Sequence, residues 1–243
     1  MKTDRTWPLP SLPWVMRMRW EDLLFAHWAV DAHVLRRHLP ASLELDTFQG
    51  QAYVGVVPFR MSDVAPRGVP AMGGLSRFPE LNVRTYVIAE GKPGVFFFSL
   101  DAASRLAVRL ARRFFFLPYM DADMSVGWRE GGCVYRCRRT HRAVPTAEFR
   151  ARYAPQGPPF QAERGTLEHW LTARYCLYAV NLRSKLFRGE IDHVPWPLQE
   201  ATAVIETNTC GEWLGMDFSG EPHLLFAKSL DVRAWLLQRV PGD

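Results

Sequence analysis

The chain has 243 residues, 48% hydrophobic and 23% charged, with a net charge of +5. Nine tryptophans and fifteen phenylalanines supply the bulk of a packed core, which excludes a disordered tail. No apolar run reaches the roughly 18 residues of a membrane span.

Four cysteines are too sparse for a disulfide scaffold, and the opening MKTDRTWPLPSLPW is broken by prolines rather than carrying a secretory apolar segment. Both observations predict a cytoplasmic protein. Cys133 and Cys137 lack a second pair at zinc spacing, so the sequence predicts no metal site, and no cofactor motif appears. Of 30 basic residues only Lys2, Lys92, Lys185 and Lys228 are lysines. Arginine recognises carboxylate and phosphate with a planar fork but does not form a Schiff base.

In chain order, residues 15–27 have strand-like patches with a partly helical alternative. Asp31 is a plausible N-cap for the short helix AHVLRRHL, stopped by Pro40. Residues 52–59 form a strand, and 62–77, with two prolines and three glycines, a long loop. FPELNVRTYV (78–87) and VFFFSL (95–100) flank the turn EGKPG and predict a hairpin. Asp101 is read as the cap of a helix with Leu106, Leu110 and Phe114 on its packed side and Arg105, Arg109, Arg112 and Arg113 largely opposite. That helix ends at 117–120.

Further strands are predicted at 125–128 and 133–139, the latter turning Arg136 and Arg138 outward. Residues 155–159 read as a loop, 166–171 as a short helix, and 174–180, 186–193 and 201–207 as strands. HVPWPL (193–198) is a rigid connection. The chain closes on the apolar 224–226 and a short helix near 232–237. Without a linker or internal repeat, residues 1–243 are read as one domain. Many strands and few helices predict an α+β fold in which a large, mostly antiparallel sheet closes on itself as a barrel or cone.

In such a sheet Glu80, Asn82 and Arg84 share one face of their strand. Glu80 and Arg84 are about 13 Å apart along the backbone, too far for a simple pair, and are read as flanking a cavity with Asn82 between them. The competing reading is a solvated strand face. Ser99 shares parity with Val95 and Phe97 and is placed in the same lumen. His27 and His193 are read as hydrogen-bonded strand or loop residues that can also serve a ligand. The spacing of His27, His33 and His38 does not make a metal triad. The arginine-rich helix offers an anionic partner a surface, but a solvated face explains it as well, and no nucleic-acid module accompanies it.

Several stretches, FAHWAVDAHVLRRHLP, FQGQAYVGVVPFRM, LSRFPELNVRTYV, GVFFFSLDAASRLAVRLAR, LPYM and HVPWPLQ, together resemble a bacterial family called domain of unknown function 2071, or YqjF-like. The resemblance implies an acetoacetate-decarboxylase-like fold: a closed barrel or cone with a few peripheral helices. The decarboxylases of that superfamily use a lysine amine; the corresponding segment here is Phe116-Leu117-Pro118-Tyr119-Met120, with no lysine. Lys185 and Lys228 are the lysines that another strand can bring into the lumen.

The expected site is therefore a small-molecule one without Schiff-base chemistry. Glu80 and Tyr119 are the catalytic candidates, with packing the competing role for Tyr119. Arg84, Asn82, Ser99, His27 and His193 are the binding candidates, for an anionic or carbonyl compound. The alternative is a non-catalytic protein that binds or senses a metabolite. No membrane partner is expected, the sequence argues against nucleic acid, and it neither requires nor excludes a homo-oligomer.

Overall fold

The computed structural model describes residues 4–218 and 220–241, with backbone alone at 74 and 75. Its strands are β1 (Met16–Val30), β2 (Glu44–Leu45), β3 (Ala52–Pro66), β4 (Phe78–Ala89), β5 (Lys92–Ala102), β6 (Tyr119–Arg129), β7 (Gly132–Arg139), β8 (Glu148–Phe160), β9 (Cys176–Val180), β10 (Leu186–Asp192), β11 (Leu198–Asn208), β12 (His223–Ala234) and β13 (Gln238–Arg239). The helices are α1 (Ala32–Arg36), α2 (Arg105–Phe115) and α3 (Leu167–Thr172). No helix among the described residues is long and apolar enough to cross a membrane.

All the described strands join one sheet, in the order β13-β10-β9-β5-β6-β7-β8-β11-β12-β1-β3-β4-β2, and it curls round because β5 also pairs with β4 and β10 with β12. The pairings trace two rings that share β12, β1, β3, β4 and β5: one continues through β6, β7, β8 and β11, the other through β9 and β10. Closure removes the free edges that long apolar strands would otherwise expose. It also gives the shared wall two buried faces. Leu24, Val54, Val56, Leu81 and Val83 pack with Tyr135 and Phe149 on the first side. Phe25, Val57, Phe59, Leu100 and Tyr119 pack with Trp196 and Leu225 on the second. Each such aliphatic side chain contributes roughly 1.5–3 kcal/mol of transfer free energy.

β1 stays in both faces by a bulge. Asp22 takes φ 52°, and the register against β3 shifts between Glu21 and Ala26. Trp20 before the bulge and Phe25 after it consequently reach the same cluster. Asp22 is fully buried; its carboxylate is bound by Arg60 and by Lys228 Nζ at 2.7 Å.

Several expectations are corrected. Residues 16–27 are strand throughout, β3 runs on to Pro66, and residues 155–159 are the end of β8 rather than a loop. Tyr119 and Met120 begin β6 instead of ending a helix. No helix forms near 232–237: Leu230, Val232 and Ala234 are buried while Asp231 and Arg233 are exposed, a period of two that extends β12.

The cap of α2 is Ser104, whose hydroxyl accepts from Ala107 N–H, and Asp101 lies buried in β5. The packed side of α2 is also inverted. Val108 is buried and Ala107, Ala111 and Phe115 meet the core, while Leu106, Leu110 and Phe114 are exposed. Asp31 does cap α1, accepting from the N–H groups of His33 and Val34, and β4 and β5 do form the hairpin.

Candidate functional site

β4 lies between β3 and β5, and its register decides the surroundings of its polar row. Glu80 stands opposite Phe59 and Ala102, Asn82 opposite Val57 and Leu100, and Arg84 opposite Gly55 and Phe97. The missing side chain at Gly55 is occupied by the His27 imidazole: a Cβ there would lie 2.8 Å from His27 Cδ2 and 3.6 Å from Arg84 Cγ. Glycine thus brings His27 from β1 onto the Arg84 end of the row.

At the other end Glu80 is 2% exposed. Tyr119, at the start of β6, donates its hydroxyl to Glu80 Oε2 at 2.8 Å, and Tyr135 from the opposite face donates to the Glu80 backbone carbonyl at 2.7 Å. Burial pushes the Glu80 carboxyl up to about 8; the Tyr119 hydrogen bond opposes this and the Asp101 charge adds to it. Glu80 is therefore a neutral acid at pH 7 and can release its proton close to that pH. Burial, then the Glu80 charge, raises the Tyr119 phenol well above its ordinary range, so it remains a donor.

The Arg84 guanidinium sits 5.4 Å from the Phe25 ring centroid and 5.8 Å from that of Tyr86. Its Nε is shielded from solvent without an acceptor, as are Asn82 Oδ1 without a donor and Trp20 Nε1 without an acceptor, among the described residues. His27 Nε2 and Tyr86 Oη are 2.6 Å apart. Burial, and secondarily Arg84, lowers the His27 pKa well below its usual value and keeps the ring neutral. Arg174 stacks on the Tyr86 ring at 4.8 Å and is paired with Asp46 at 2.5 Å, leaving its Nη2 unbonded. Trp20 stacks on Trp196 (5.7 Å between centroids), which meets Phe25 edge-on at 5.0 Å. The row is thus polar, walled by aromatic rings, and carries a positive charge at one end and a protonatable carboxyl at the other.

The structure brings together Glu80, Tyr119, Asn82, Arg84 and His27. His193 reaches them only through the aromatic wall: its ring stacks on Tyr175 at 4.6 Å, Trp196 lies 5.4 Å away, and Nδ1 is 2.7 Å from the Val194 carbonyl. Ser99 lies elsewhere. It pairs with Val83, so it points to the opposite face, where Arg139 donates to Ser99 Oγ at 2.8 Å and to both Asp101 oxygens at 2.7 and 2.8 Å. Neither the cavity of about 10 Å³ nor that of about 280 Å³ is lined by Glu80, Asn82 or Arg84. Lys228 is held at Asp22 and Lys92 at Glu190, while Lys2 lies outside the described residues.

Sequence reasoning missed Arg139, Arg174 and the tryptophans. For Arg139 the signal was present: with Arg136 and Arg138 outward, it shares the inward parity of Cys133, Tyr135 and Cys137. Trp20 and Arg174 gave no such signal, because the Asp22 bulge decides where Trp20 points and Arg174 lies in the irregular link between α3 and β9.

Comparison with known proteins gives one consistent picture. The family DUF2071, described as an uncharacterized conserved protein, matches residues 17–231. YqjF of Bacillus subtilis (strain 168) is 45% identical over 232 residues, 95% of each chain. An acetoacetate decarboxylase from Legionella pneumophila superposes with a TM-score of 0.66 at 14% identity, covering 97% of this chain and 92% of that one. The enduracididine biosynthesis enzyme MppR, complexed with pyruvate, gives 0.65 at 11% identity over 94% and 91%. An acetoacetate decarboxylase-like enzyme from Sphingomonas wittichii RW1 gives 0.63 at 15% over 98% of each chain. At these identities the solved structures share the fold.

Proposed function

The chain belongs to the DUF2071 family, and from that premise we propose that it is an acid/base enzyme acting on a small anionic or carbonyl compound at the Glu80–Arg84 row. Arg84 orients an oxygen of the substrate, Asn82 fixes a neighbouring donor, and Glu80 transfers the proton, as in enolisation, hydration or hydrolysis. Tyr119 holds the Glu80 carboxyl in place through its hydrogen bond to Oε2, which strengthens when the proton leaves. Tyr119 and Met120 stand where the resemblance to the decarboxylases puts lysines, so the route does not pass through an imine.

The observation that carries this reading is a carboxyl pushed up to about 8 within a row whose Asn82 Oδ1 and Arg84 Nε have no partner among the described residues. The neighbouring solved structures support a small-molecule site in this fold, since one is an enzyme complexed with pyruvate.

The test is a panel of small carbonyl compounds and carboxylates assayed with the parent protein, Glu80→Gln and Arg84→Met. Turnover lost by at least a hundredfold in Glu80→Gln, and a raised KM in Arg84→Met, both with cooperative melting, are expected. If neither variant folds, the pair is structural and the reading fails. Binding with unchanged affinity in both variants also removes it.

A further inference from the structure

The structure leaves exposed the stripe of α2 that its sequence predicts to be packed. The inward side is Ala107, Val108, Ala111 and Phe115, so Leu106, Leu110 and Phe114 are 52%, 49% and 64% exposed. Their spacing of four residues keeps them in one line along the helix. Arg105, Arg109 and Arg113 have the same spacing one residue earlier, are all exposed, and form a second line beside the first. A solvated charged face does not account for the apolar line.

The charge of this face is of one sign. Between Asp101 and Asp121 the chain has no acidic residue. Asp101 is buried against Arg139, while Asp121 pairs with Arg109 at 3.1 Å and lies 3.0 Å from His141. Arg112 turns back to donate to the Tyr119 carbonyl at 2.7 Å. Arg105 and Arg113 form no ion pair among the described residues. The first turn of α2 holds no acid, so Arg105 adds to the positive end of the helix dipole, and an anionic surface would offset both. At the other end of the helix Phe116 packs on Phe187 of β10 at 5.0 Å. The turn of the β9–β10 hairpin is close to that contact and carries a fully exposed Leu182 beside Arg183.

The exposed face is a ridge: Leu106, Leu110 and Phe114 line neither of the two cavities, whereas a protein partner is anchored by side chains that fill pockets. A second copy would set the arginine line against itself in an isologous contact. Leucine and phenylalanine along one line with arginine along the next is the pattern of a helix lying in the interface of an anionic bilayer. We propose that α2 docks this protein reversibly on a membrane surface that contains anionic lipid, without spanning it. Leu106, Leu110 and Phe114 enter the acyl boundary, and Arg105 and Arg113 pair with headgroup phosphates. Three half-exposed side chains are a weak anchor alone, so docking needs the apolar and the charged line together. The inference does not depend on the reading of the Glu80 row.

The test is cosedimentation of the full chain with vesicles of equal parts phosphatidylcholine and phosphatidylglycerol, and with vesicles of phosphatidylcholine alone. At least tenfold tighter binding to the anionic vesicles is expected. Two double variants separate the lines: Leu110→Ser with Phe114→Ser, and Arg105→Gln with Arg113→Gln. Each is expected to weaken binding to the anionic vesicles at least tenfold while melting as the parent does; should one pair unfold the chain, the other decides. Binding to neither vesicle, or equally to both, overturns the proposal. So does full binding by the serine variant, which would reduce the effect to the general attraction of a basic protein. Self-association of the parent that the serine variant abolishes would assign the face to a second copy, and binding to soluble polyglutamate that the same variant abolishes would assign it to an acidic polypeptide. Either result also overturns the proposal.

Discussion

Glu80 on the shared wall and Arg139 on β7 are both buried ionisable side chains, and they solve the problem of burial in opposite ways. Arg139 meets Asp101 in a two-toothed ion pair, so removing one partner strands the other. Arg139→Met is expected to destabilise the protein by about 3–5 kcal/mol, measured by urea denaturation. Glu80 instead keeps its proton. Below the ordinary carboxyl value of 4.5 both folded and unfolded chains carry it, and between 4.5 and about 8 only the folded chain does. Stability is therefore lost as pH rises through that window, by roughly 1.4 kcal/mol per pH unit, and levels off above it. Glu80→Gln cannot ionise, so its melting temperature relative to the parent should climb between pH 5 and pH 8; a constant offset would contradict the raised value. The row itself was legible because alternation in FPELNVRTYV places Glu80, Asn82 and Arg84 on one face. The misplacement of Ser99 was not, since the Phe98 bulge resets parity within three residues of it.

Elements were legible where the period of the sequence was unambiguous and misread where two periods fitted. In α2 both Leu106-Leu110-Phe114 and Ala107-Val108-Ala111-Phe115 form helical stripes, and the more apolar one was expected to pack; the smaller side chains do, because they let the helix approach the sheet. Val108→Ala is accordingly expected to cost about 1–2 kcal/mol, while Leu106→Ser and Leu110→Ser stay within about 0.5 kcal/mol, a contrast that thermal melts resolve. The same logic applies to β3. Gly55→Ala would drive a methyl into the His27 ring, displacing it from Tyr86 at a cost of about 1–3 kcal/mol. An unchanged melt for this variant would mean that the ring is not held there.

At the scale of the whole molecule, closure of the sheet was expected from strand number and from the family resemblance, but the two rings were not, since strand order is a long-range property that no local period encodes. That topology has a dynamic consequence. β12, β1, β3, β4 and β5 belong to both rings, so opening them breaks more of the structure than opening β7 or β10. Hydrogen exchange should be slowest along those shared strands and faster in β9, β10 and β13. The proposed site stands on this wall, which suits the proposed proton transfer because the group must be held in register. The most direct test of the account is an NMR titration of the Glu80 side-chain carboxyl in the intact protein, assigned by comparison with Glu80→Gln. A midpoint near 8 is predicted, and one in the ordinary carboxylate range near 4.5 would contradict it.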